Sequence, residues 1–199
     1  MRDSIREAVT KLIEREGVQA LTMDKVAEEA GVAKGTLYTY FETKKQLLDS
    51  VFHTALEPMK EELGNILDSP ETPEARIRLF ILRHMSYFDE HRRFFRVLLY
   101  ERSVAQGHRE RLTNNRYRSG LEKLASVLEE GMKKGFFRRC NPEKLATMIM
   151  EADIAMISQR LYQNDPPRAL EDAEFIYDVF LYGISAAERP ARGGHAYAS

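Results

Sequence analysis

Apolar residues recur along nearly the whole chain at intervals of three and four, the period of helices that bury one face. The alternation expected of strands is almost absent, so the pattern predicts an all-α chain of nine helices. The first, 4–16, sets Ile5, Ala8, Val9, Leu12 and Ile13 on one face and stops at Gly17. Thr22 caps a short second helix, 23–30, which ends at Gly31; a third short helix covers 34–40. Thr43 and Gln46 form a T-x-x-Q capping box that opens a long fourth helix reaching about residue 67, with a disturbance at Pro58. Thr72 and Pro73 start the fifth, to about residue 89, and an aromatic sixth covers 92–101. The seventh, 109–134, stops at Gly135. Asn141 and Pro142 open the eighth, 143–162, and Pro166 and Pro167 precede the ninth, 168–187. Residues 189–199 carry Pro190, Gly193 and Gly194 without an apolar face and are expected to fray.

The stretch from Thr22 to Lys45 carries the chemistry. Two short helices joined by a tight turn at Gly31, Val32 and Ala33 have the layout of a helix-turn-helix, in which the second helix must stand proud enough to enter a major groove. Val26, Ala27 and Ala30 face inward from the first of the pair, and Leu37 and Phe41 anchor the second. Lys34, Thr36, Tyr38, Thr39 and Tyr40 are thereby turned toward solvent or toward the flanks. Hydroxyls and a lysine suit phosphate oxygens, and Gly35 lets the backbone come close. No acidic residue occurs from Gly31 through Phe41, and Lys44 and Lys45 follow at the start of the fourth helix. Helix N-termini would add positive ends for phosphate. The plainer reading of the same spacing is three packed helices with an ordinary surface.

The string A-L-T-M-D-K-V-A-E-E-A-G-V-A-K-G-T-L-Y-T-Y-F-E-T-K-K-Q-L-L, Ala20 to Leu48, resembles the DNA-binding domain of TetR-type repressors, with residues 4–52 covering that domain. The resemblance implies a homodimer on a near-palindromic double-stranded operator, acting as a repressor released by a small molecule. It maps Thr22, Lys34, Gly35, Thr36, Tyr38, Tyr40 and Lys44 onto DNA-contacting positions; Thr39 joins them from its exposed place on the same helix. Many relatives carry serine where Ala33 stands, so a hydroxyl contact is missing there. The expected organisation is a reading head over 1–47, a ligand-binding and dimerisation domain over 48–188, and a flexible tail over 189–199. An activator, a ligand-independent regulator of the same fold and a helical enzyme are the alternatives.

Aromatic and methionine stripes run through the larger domain, from Phe80 to Tyr100 and from Met148 to Met156. Such stripes serve either as core or as pocket wall. The family's layout, with helices around a ligand cavity, turns some of them toward sensing: His84, Tyr87, Phe88, Phe95, Leu99, Arg118, Leu121, Met148 and Ala152. These would suit a small apolar or aromatic effector. His84 is either a polar handle in such a pocket or a satisfied core histidine. The ninth helix is apolar around much of its circumference and must be buried on more than one side. Either it is wholly enclosed in one subunit, or Phe175, Val179, Tyr182 and Gly183 meet a symmetry mate, with Met156 of the eighth helix in the same contact.

With 43 % hydrophobic residues among 199, the chain has material for a core, and its net charge of -1 requires any basic surface to be local. No apolar run approaches the roughly 20 residues of a membrane span, and the N-terminus lacks a signal peptide's apolar core. The single cysteine, Cys140, permits no intrachain disulfide, and is either an inert surface thiol or a sensor. These features point to a soluble cytoplasmic protein. His53, His84, His91, His108 and His195 show no H-E-x-x-H spacing, and there is no phosphate loop or dinucleotide fingerprint, so neither metal, cofactor nor catalytic residue is expected.

Overall fold

The computed structural model describes residues 1–17, 20–101 and 115–183, the side chains of 97–101, 115 and 116 excepted. Among the described residues there are ten helices and no strand: α1 (Arg2–Glu16), α2 (Met23–Glu29), α3 (Lys34–Tyr40), α4 (Lys44–Ala55), α5 (Glu57–Leu67), α6 (Pro73–Glu90), α7 (Arg92–Glu101), α8 (Asn115–Lys133), α9 (Pro142–Gln163) and α10 (Ala169–Tyr182). The expected count of nine holds if α4 and α5 are taken as the one long helix of the sequence pattern. The break falls at Leu56. Pro58 has no N–H and its ring would press on the Thr54 carbonyl, so the helix stops and restarts with proline in its new first turn. The Leu56 N–H tightens onto the His53 carbonyl, and the Leu56 carbonyl accepts from Lys60 N–H to begin α5. Residues 109–114, the tail 189–199 and the Leu99 side chain lie outside the described residues.

The N-terminal helices build a small head. α1 buries Ile5, Ala8, Val9, Leu12 and Ile13 against α2, α4 and α7. Leu21, Val26, Ala27, Leu37, Phe41, Leu47, Leu48 and Val51 complete its core. The remaining helices form a bundle around α6, which touches α5, α7, α8, α9 and α10. Contacts that join head to bundle include α1 lying on α7, the Phe52 and Phe95 rings meeting edge to face at 5.9 Å, and the Tyr87 hydroxyl donating to the Ala55 carbonyl at 2.5 Å.

Polar side chains fix the bundle's geometry. Asp89 on α6 accepts the Arg168 and Ala169 N–H groups at 3.1 and 2.9 Å, capping α10 from a neighbouring helix. Buried Arg160 on α9 lies 3.3 Å from Asp89 and 2.9 Å from Asp172, so one guanidinium ties α6, α9 and α10. Burial pushes the Asp172 carboxyl up, and Arg160 opposes it. At the far end of the bundle the turn after α8 runs through Gly135, whose φ of +82° needs glycine, and folds Phe137 back onto Gly131. A Cβ on Gly131 would stand 2.3 Å from the Phe137 ring. Gly131→Ala is therefore expected to cost about 1–3 kcal/mol by overpacking, read by urea unfolding. An unchanged midpoint would mean that the ring swings aside freely.

Candidate DNA interface and effector domain

The reading head follows from local rules. Thr22 Oγ1 accepts the Lys25 N–H at 3.2 Å and starts α2. Gly31, at φ +65°, ends it, and the Val32 N–H reaches back to the Ala27 carbonyl at 2.9 Å. α3 then opens at Ala33, which gives no side-chain cap. Leu37 is fully buried and Phe41 nearly so, which pins the inner face of α3. Lys34, Gly35, Tyr38 and Thr39 are exposed; Thr36 and Tyr40 are half-buried. The capping box at α4 forms with one change of partner: Gln46 N–H donates to Thr43 Oγ1, while Gln46 Oε1 accepts from Glu42 N–H and not from Thr43. Lys44 sits half-buried in the first turn of α4.

Several of these side chains already have partners. The Thr39 hydroxyl donates to the Gly35 carbonyl at 3.0 Å, and Thr22 is occupied as a cap. Lys34 Nζ lies 2.6 Å from Asp24 Oδ1, and that hydrogen bond raises the lysine above its ordinary range. A phosphate would compete with Asp24 for this ammonium. Asp24→Asn is thus expected to strengthen binding to DNA of any sequence by about two- to five-fold, with a steeper salt dependence, in anisotropy titrations. Weaker binding would show that Asp24 presents Lys34 to DNA instead of holding it back. Arg2, which the sequence pattern did not single out, places its guanidinium 5.9 Å from the centroids of both Tyr40 and Phe41. It adds a cation beside α3. The signal available in the sequence was only its position one turn ahead of the apolar face of α1.

In the bundle, the candidate effector residues separate into three places. His84, Tyr87, Phe88 and Phe95 are buried together: Phe88 meets Phe95 at 4.6 Å, His84 meets Phe88 at 5.5 Å and Tyr87 meets Phe95 at 5.9 Å. His84 Nδ1 lies 2.5 Å from Oδ2 of Asp153 on α9, which is wholly buried. Burial pushes the Asp153 carboxyl up, while His84 and Arg160 pull it down. Arg118 and Leu121 instead line an open groove of about 460 Å³ where α8 meets the start of α9, beside Glu122, Glu129 and Glu143. Met148, 59 % exposed, lies on the outer side of α9 in line with Ala155 and Tyr162, while Ala152 and Met156 are half-buried and pack against the core. Neighbouring α10 has an outward stripe of its own: Phe175, 61 % exposed, with Val179, Tyr182 and Gly183. No described helix is long and apolar enough to cross a membrane.

Comparison with known proteins agrees with this layout. Residues 5–51 match the family described as bacterial regulatory proteins, tetR family, and residues 70–157 match the tetracyclin repressor-like C-terminal domain. The chain is 28 % identical over 183 residues to the HTH-type transcriptional regulator YhgD of Bacillus subtilis, covering 92 % of this chain and 95 % of that one. Its fold is similar to that of the transcriptional regulator FadR from Bacillus subtilis, solved in complex with stearoyl-CoA, at a TM-score of 0.71 and 20 % identity, over 93 % of this chain and 100 % of that one. It is also similar to Thermus thermophilus FadR, a transcriptional repressor solved with lauroyl-CoA, at a TM-score of 0.65 and 22 % identity, over 98 % and 100 % of the two chains.

Proposed function

Because the chain belongs to the tetR family of DNA-binding transcriptional regulators, we propose that it is a homodimeric repressor of a near-palindromic operator, released by an apolar acyl or aromatic effector. The observation that carries the reading is the α2–α3 pair. Leu37 and Phe41 pin α3 from below and leave Lys34, Gly35 and Tyr38 outward; α3 itself carries no acidic residue, and Asp24 of α2 pairs with Lys34. Together with Thr36, Tyr40, Lys44 and Arg2, these side chains suit phosphate and base-edge contacts. One such head makes few contacts, and two-fold symmetry doubles them. The outward apolar stripes on α9 and α10 support a second copy as what covers them. Acyl thioesters are the first effectors to test, since both FadR proteins were solved with an acyl-CoA and the bundle is rich in aromatic and methionine side chains.

Release requires that the effector favour a subunit arrangement whose heads no longer match successive major grooves. The test begins with selection of bound sequences from random DNA by the purified chain, then light scattering, then operator shift assays with acyl-CoAs of graded length and a panel of aromatic compounds. The expected results are a palindromic consensus, a dimer at micromolar concentration and operator release by several related compounds. Compounds that raise the melting temperature without lowering operator affinity would overturn the release mechanism. If no compound binds, a ligand-independent regulator takes its place. A stable monomer with no sequence preference would overturn the whole reading.

A further inference from the structure

Away from the ring cluster, at the end of the bundle remote from the head, α6, α8, α9 and α10 enclose a cavity of about 130 Å³. Its wall is chiefly apolar, with Ile77 and Ile81 from α6, Leu128 from α8, Leu145 and Ile149 from α9 and Leu181 from α10. The connection from α8 to α9 forms its rim and brings two residues with polar side chains there, Arg138 and Cys140. Arg138 is exposed and has no ion-pair partner among the described residues. The remaining polar group in the wall, the Tyr177 hydroxyl, is already engaged by Glu74 at 3.0 Å.

Size and chemistry narrow the occupant. A dry cavity of about 150 Å³ lined by Leu, Ile and Phe accepts benzene. A space of 130 Å³ therefore holds one six-membered ring or a short chain and excludes a long acyl tail. An unpaired guanidinium at the mouth offers parallel N–H donors that match a carboxylate. We propose that this cavity is a ligand site of its own, taking a small aromatic or short aliphatic carboxylic acid with its tail among Ile77, Ile149 and Leu181 and its carboxylate on Arg138. The assignment does not rest on the acyl-thioester reading and stands whether or not effector release of DNA is found.

Cys140 is the chain's single cysteine and is exposed, so its alkylation reports on this rim alone. The experiment titrates the full chain with benzoate, hexanoate and the uncharged ring toluene, following heat of binding and the rate at which iodoacetamide modifies Cys140. Saturable binding of both acids at roughly millimolar concentration, with slower alkylation, is expected. Arg138→Gln should weaken benzoate by about ten-fold or more while leaving toluene binding unchanged. Retained toluene binding also shows that the variant is folded. Absence of saturable benzoate binding, binding that leaves the alkylation rate untouched, or equal benzoate affinity in Arg138→Gln would each overturn the assignment.

Discussion

Replacing His84 by phenylalanine is expected to destabilise the chain by about 3–5 kcal/mol, a fall in melting temperature on the order of 10 °C, although the ring fills nearly the same space. The cause is the carboxylate left behind. Asp153 is fully buried, its Oδ2 lies 2.5 Å from His84 Nδ1, and its Oδ1 has no hydrogen-bond partner among the described residues. Removing the imidazole strands a charge where water does not reach. The sign of the pH dependence follows. Burial already holds the Asp153 carboxyl above its ordinary value of 3.8, and losing His84 removes the stronger of the two groups that pull it down, leaving only Arg160. The folded variant then binds a proton that the unfolded chain has released, so its stability falls as pH rises from about 4 through the elevated folded value. The deficit relative to the parent chain should be larger at pH 8 than at pH 5. A second change, Asp153→Leu, should restore most of the loss in the double variant. Thermal unfolding of the parent, single and double variants at the two pH values checks this. An equal deficit at both would show that the pair is neutral and that only packing was lost.

Gly35→Leu is expected to lower operator affinity at least about 100-fold with no loss of stability. Nothing stands within 4 Å of where a Cβ would be at exposed Gly35, so a side chain there starts into open space in the free chain. Within α3, leucine is also the better helix former, by somewhat less than 1 kcal/mol. On DNA the same side chain would hold the start of α3 away from the phosphates and forfeit the contacts proposed for Lys34 and Thr36. Anisotropy with the selected operator, alongside a melting curve, separates the two effects. Affinity within about three-fold of the parent would mean that α3 does not approach DNA through its first turn.

What could be read from the sequence was what local chemistry decides. Thr22, Thr43, Thr72 and Asn141 each cap the helix that their side chains announced, and Gly31 ends α2 in the left-handed conformation that the turn needs. The span of α3 matches its expected bounds because Ala33 and Phe41 lie just outside an uninterrupted pair of turns. The break at Leu56 was visible only as the proline beyond it, since whether a helix kinks or restarts is settled by what it packs against. Apolar residues surround α9 on nearly all sides, so periodicity could not show that Met148 faces outward, that Ala152 and Met156 flank the core and that Ile149 and Ile157 face in. The Asp24–Lys34, His84–Asp153 and Arg160–Asp172 pairs join different elements, and no single element's spacing announces them.

The seam between head and bundle bears on exchanging parts among relatives. A swap of N-terminal heads made where the helix-turn-helix string ends, at residue 48, would keep Phe52 with its own Phe95 and Ala55 with its own Tyr87. A cut at the Leu56 break, which looks like the cleaner joint, would carry Phe52 and the Ala55 carbonyl to a foreign α6 and α7. Grafted operator specificity is then inherited with a mismatched hinge. The face that α1 lays on α7 crosses either junction, so a faithful transplant also has to match those two surfaces. The joint is a shared surface more than a point in the chain, and recombinants chosen by alignment alone would bind DNA but answer poorly to whatever the bundle senses.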